Sequence, residues 1–120
     1  MTNKKVAGTV MLHLQNGSKR FLVHTVGDTM ELASTDFSNE RTGLANILSL
    51  LKESVKLDVK NIDLVELTNG QIAEENVPLF VFETSEEKLV GDLPEDFRWE
   101  EPQRFREVIR HYDIEGVPYF

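Results

Sequence analysis

From Leu44 onward the apolar residues Leu44, Ile47, Leu48, Leu51 and Val55 fall three, four and seven apart, which places them on one face of an α-helix. The spacing predicts a helix over Leu44 to Lys56, with Asn46, Ser49, Glu53 and Lys56 facing water or a ligand. Ser38 or Asn39 can cap it, while Gly43 weakens its first turn. Around this helix the period changes to two. Val10, Leu12 and Leu14 alternate with Met11 and His13, and Phe21 and Val23 alternate with Leu22 and His24, so strands are expected over Val6–Leu14 and Arg20–Val26. Asn16-Gly17 joins them as a two-residue hairpin turn. A short strand is expected over Met30–Ala33, another over Ile62–Leu67 ended by Asn69-Gly70, and a buried central one over Val77–Phe82, with Pro78 at its start. Pro102 then opens a second amphipathic helix reaching Tyr112, its stripe made by Phe105, Val108, Ile109 and Tyr112.

A chain of 120 residues suits one domain, 1–120, burying about two-thirds of its unfolded surface. With 13 basic and 21 acidic residues the net charge is −8, which opposes binding to nucleic acid or to an anionic membrane. No cysteine is present, so disulfides, thiolate metal sites and cysteine nucleophiles are excluded. The first residues, MTNKKVAGTVMLHL, lack the apolar run of a signal peptide, and no stretch approaches the roughly 20 apolar residues of a membrane span. A cytoplasmic location is expected. Between Glu83 and Glu101 eight carboxylates face only Lys88 and Arg98, which reads as a mostly solvated segment with Leu89, Val90 and Leu93 as anchors.

A hairpin beginning VAGTV, a loop, an amphipathic helix ending in LKESVKL, an apolar strand and a last helix preceded by Trp99 together resemble the Nudix hydrolase family. The resemblance spans nearly the whole chain. It implies an α/β (α+β) fold, an α/β/α sandwich with a mixed β-sheet and one helix on each side. The family signature is a glycine, a glutamate six residues on, and then Arg-Glu-aliphatic-any-Glu-Glu-any-Gly-aliphatic. Anchored on Leu51 to Leu57, it puts Thr35 at the first glycine, Arg41 at the first glutamate, Ser49-Leu50 at Arg-Glu, Glu53-Ser54 at the glutamate pair and Lys56 at the last glycine. Glu53 and the aliphatic Leu51 and Leu57 match; Glu40 lies one residue from the first glutamate position.

The family splits pyrophosphate linkages with divalent cations held by several carboxylates, and here Leu50 and Ser54 stand where two oxygen ligands would be. The resemblance therefore implies a degenerate box. The expected function is non-hydrolytic binding of a small, nucleotide-like molecule or a protein partner, with Leu50, Glu53, Ser54 and Trp99 as candidate ligand contacts. The alternative is a divergent pyrophosphohydrolase in which Glu53 and Glu40 act with Glu74 or Glu75 around Mg or Mn; no cofactor is expected otherwise. His13 and His24 read as ordinary strand residues, since the two-residue turn sets His13 opposite Arg20. Trp99 and Phe97 read first as anchors of the last helix. The serines show no nucleophile elbow, and no glycine-rich phosphate loop is present. Ile114, Val117, Pro118, Tyr119 and Phe120 make an apolar tail, expected to fold back on the domain or to lie in a homodimer interface.

Overall fold

The computed structural model describes residues 5–36, 42–72, 75–89 and 92–110. In chain order these form β1 (Lys5–His13), β2 (Lys19–Val26), β3 (Thr29–Glu31), β4 (Ala33–Asp36), α1 (Gly43–Glu53), β5 (Asp63–Ile72), β6 (Glu75–Ser85), β7 (Phe97–Glu100) and α2 (Pro102–Ile109), with single 3-10 turns at Val59–Asn61 and Glu86–Lys88.

All the strands belong to one mixed sheet. β1 runs parallel to β6 and the remaining pairs are antiparallel. Ala7 and Gly8 pair with both β4 and β6, so those neighbours lie on opposite edges of β1. Likewise His24 pairs with both Glu31 and Phe97, putting β3 and β7 on opposite edges of β2. β1 and β2 therefore pair only at their hairpin end, Met11–His13 with Lys19–Phe21, and then diverge. β3 and β4 fill the gap between them.

The alternation within each strand divides the core in two. Val6, Val10, Leu22, Phe80, Phe82 and Phe97 pack with Ile47 and Leu51 of α1, whereas Met11, Phe21, Val23, Leu79 and Val81 pack with Phe105, Val108 and Ile109 of α2. The helices thus cover opposite faces, and the architecture is the expected α/β/α sandwich. Each such large apolar side chain contributes about 1.5–3 kcal/mol on burial. Phe21 and Phe105 lie stacked, with ring centroids 4.4 Å apart and planes at 9°.

Several local expectations change. The β1–β2 loop holds three residues, since Leu14 N–H donates to Ser18 O at 2.9 Å and Gly17 N–H to Leu14 O at 3.0 Å. Gly17, at φ 89°, takes the left-handed position that closes such a loop. The register consequently sets His13 opposite Lys19, not Arg20. Asn69-Gly70 does not end β5; both pair within it, with Pro78 and Val77. Pro78 is the fourth residue of β6 and precedes the first pair with β1, Ala7–Leu79, so its missing amide leaves that ladder intact. Phe97 and Trp99 belong to a strand that the acidic flanks disguise. Ser38, Asn39, Val90, His111, Tyr112 and the tail from Ile114 lie outside the described residues.

Candidate functional site

Helix α1 is capped by Thr42, whose Oγ1 accepts from Ala45 N–H at 3.1 Å. Asn46, expected to face water, is buried at 8% exposure, and its Nδ2 donates to Thr42 O at 3.0 Å. A polar side chain at that depth is held by satisfying a backbone carbonyl. The interior of the helix follows its apolar stripe, with Ile47 and Leu51 fully buried and Leu44, Leu48 and Leu50 packed from its edges.

The end of α1 is wide. Ser54 and Val55 both donate to Leu50 O, at 2.9 and 3.1 Å, and Leu57 N–H reaches back to Leu51 O at 2.9 Å. Lys56 makes this possible by adopting φ 65°, the single positive φ at a non-glycine residue among those described. Left-handed backbone is costly for a residue with a Cβ. In the Nudix signature that position is glycine, the residue that takes a positive φ without steric cost.

Among the described residues, the candidate ligand side chains at this end lie as follows. Glu53 and Ser54 are exposed, while Leu50 packs against the α1-side core and has no oxygen to offer. Glu75 opens β6, in register with Ile72; Glu40 and Glu74 lie outside the described residues. Among the described residues no group of three or more His, Asp or Glu side chains could hold a metal ion.

Trp99 sits on β7 opposite Leu22 and packs half-buried against the same core as Leu50. Trp99 and Phe97 thus pack on the α1 side of the sheet, apart from Phe105, Val108 and Ile109 of the last helix. The strand neighbours of Trp99, Arg98 and Glu100, point to the α2 side. Glu100, read from sequence as one of the solvated carboxylates, is buried at 5% exposure. Its Oε1 accepts from Glu101 N–H at 3.2 Å, and its Oε2 lies 3.3 Å from Arg98 Nε without hydrogen-bond geometry. The only signal for this in the sequence is the alternation of Phe97-Arg98-Trp99-Glu100.

The histidines are separate. His13 Nε2 lies 3.1 Å from Glu83 Oε2, and His24 Nε2 3.3 Å from Asp96 Oδ2. The His24 ring also stacks on Phe97 at 4.7 Å. Part-exposed pairs of this kind contribute little to stability.

Solved structures share this arrangement of sheet and helices. The C. elegans Ap4A hydrolase superposes with a TM-score of 0.68 at 11% identity, over 92% of this chain and 88% of that one. A Nudix hydrolase from M. smegmatis, RenU, gives 0.66 at 14% identity over the same shares. The fold is Nudix-like. The Nudix domain of Shewanella oneidensis NrtR, solved in complex with ADP ribose, follows with a TM-score of 0.56 at 10% identity over 90% of this chain and 78% of that one. No protein-family model and no curated protein sequence matches the chain significantly. Among the described residues, no helix is long and apolar enough to cross a membrane.

Proposed function

We propose that this Nudix-like protein binds a small, nucleotide-like molecule or a protein partner and does not hydrolyse it. The observation that carries the reading is the packing of Leu50. On the turn where a metal-dependent member needs carboxylates, this helix spends one position on its core and exposes Ser54 and a single glutamate, Glu53. Cation-assisted cleavage of a pyrophosphate needs charge offset and an activated water held in fixed geometry, and one exposed glutamate supplies neither. The NrtR domain was solved with ADP ribose, which makes nucleoside-diphosphate-linked compounds the first ligands to try. The absence of cysteine suits the reducing cytoplasm, the location included in this proposal.

Calorimetry with Mg or Mn, then with ADP ribose and a nucleotide panel, tests the reading together with a phosphate-release assay coupled to a phosphatase for ADP ribose and to pyrophosphatase for the triphosphates, since splitting the pyrophosphate linkage by itself sets free monophosphates or pyrophosphate. Binding of an organic ligand without metal and without phosphate release is the expected result. Micromolar metal binding that is lost in Glu53→Gln, accompanied by phosphate release, overturns it in favour of a divergent pyrophosphohydrolase using Glu53 with Glu40 and Glu74 or Glu75.

A further inference from the structure

Asparagine is a thermolabile residue, because the backbone nitrogen of the residue after it can attack its side-chain carbon and expel the amide. Glycine, with no Cβ, obstructs that approach least. Two of the chain's seven asparagines, Asn16 and Asn69, precede a glycine, and the fold puts these identical dipeptides in opposite settings. Asn69 and Gly70 lie in the ladder between β5 and β6, in register with Pro78 and Val77. Asn16 is exposed in the loop between β1 and β2, followed by Gly17 at φ 89°.

The loop also aims two donors at the atom that would gain charge. Asn16 Oδ1 accepts from Ser18 N–H at 2.9 Å and from the Ser18 hydroxyl. Attack on Cγ turns Oδ1 into an oxyanion, and donors already fixed on that oxygen stabilise the developing charge. One bond opposes the reaction: Gly17 N–H donates to Leu14 O at 3.0 Å and must be released before its nitrogen can attack. Opening an exposed loop of this size takes far less free energy than parting two long strands.

We propose that Asn16 is a site of spontaneous deamidation in the folded protein, assisted by Ser18, and that the β5–β6 ladder protects Asn69. Gly17 N gives its proton to hydroxide and bonds to Asn16 Cγ. The bond from Cγ to Nδ2 then breaks, and the nitrogen leaves as ammonia with a proton from water. Water opens the resulting five-membered imide at either carbonyl, giving aspartate or isoaspartate. The sum is one water consumed and one ammonia released, with no change of oxidation state. Either product places a new negative charge beside Gln15, whose N–H is held by Glu86 Oε2 at 3.1 Å, and isoaspartate also lengthens the backbone of the loop by one carbon.

The test holds full-length wild type in mildly alkaline buffer for days, native and in guanidinium chloride, followed by tryptic mass mapping. Cleavage at lysine puts Asn16 on Val6–Lys19 and Asn69 on Asn61–Lys88. Fragment ions assign the position of each amide-to-acid mass gain, and Asn16→Asp supplies the standard that distinguishes aspartate from isoaspartate by chromatography. In the native protein Asn16 should convert at least about tenfold faster than Asn69, and in denaturant the two rates should converge. Ser18→Ala should slow native conversion of Asn16 by about threefold or more and leave its rate in denaturant unchanged. Equal native rates at the two sites, an Asn16 that converts in denaturant but not in the native protein, or a native rate unaffected by Ser18→Ala overturns the proposal.

Discussion

Gly8 of β1 and Ile47 of α1 are in such close contact that a Cβ built on Gly8 would lie 2.6 Å from Ile47 Cγ1 and 3.0 Å from its Cδ1, with Phe80 O at 3.3 Å. The missing side chain sets how near α1 approaches the sheet. Gly8→Ala should therefore destabilise the protein by about 1–3 kcal/mol through overpacking, read as a lower urea midpoint. The same substitution made on Ile47→Ala should be much less damaging, because the colliding atoms are gone; equal losses in both backgrounds would show that the contact is not responsible.

At the start of the same helix, Thr42→Ala removes the acceptor for Ala45 N–H and should lower stability by about 1 kcal/mol. Thr42→Ser keeps the oxygen and should recover most of that loss. Thermal or urea melts of the two variants provide the comparison.

At the other end, Lys56 holds φ 65°, and Lys56→Gly exchanges a strained residue for one that tolerates the conformation. Relief of strain outweighs the greater unfolded-state freedom of glycine, giving a net gain of up to about 1 kcal/mol. Lys56→Val should lose stability instead, because a β-branched residue is an outlier there. A loss on Lys56→Gly would contradict the left-handed turn.

Position 50 separates a core residue from a ligand position. Leu50→Glu should destabilise the fold by about 1–3 kcal/mol, since it places a carboxylate against the apolar cluster. Glu53→Gln, on an exposed side chain, should stay within about 0.5 kcal/mol of wild type. A Leu50→Glu protein as stable as wild type would mean that position 50 is available to solvent and to ligands.

On the opposite face, Phe105→Ala removes a fully buried ring stacked on Phe21 and should cost about 3–5 kcal/mol. Phe105→Leu, which keeps much of the volume, should cost distinctly less. Chemical denaturation distinguishes these outcomes.

What the sequence determined by itself was whatever depends on neighbours close along the chain. The stripe through Leu44, Ile47, Leu51 and Val55, the apolar run at Val77–Phe82 and the proline opening α2 each commit a short segment to one conformation and one buried face, and the order of those segments was enough to resemble a Nudix fold. That positions 50 and 54 hold no carboxylate was equally legible, because residue type alone decides it. Only tertiary structure decided matters settled by partners distant in sequence. Glu100 is buried because β7 pairs with β2 and turns its alternate side chains under α2; Asn69-Gly70 stays in a strand because β6 supplies its partners; and Leu64 and Leu67 share a face because a β-bulge between Leu64 and Glu66 forms against Phe82, Val81 and Phe80. In each case the local preference was for a solvated carboxylate, a turn or simple alternation, and a ladder of backbone hydrogen bonds with a strand elsewhere in the chain outweighed it.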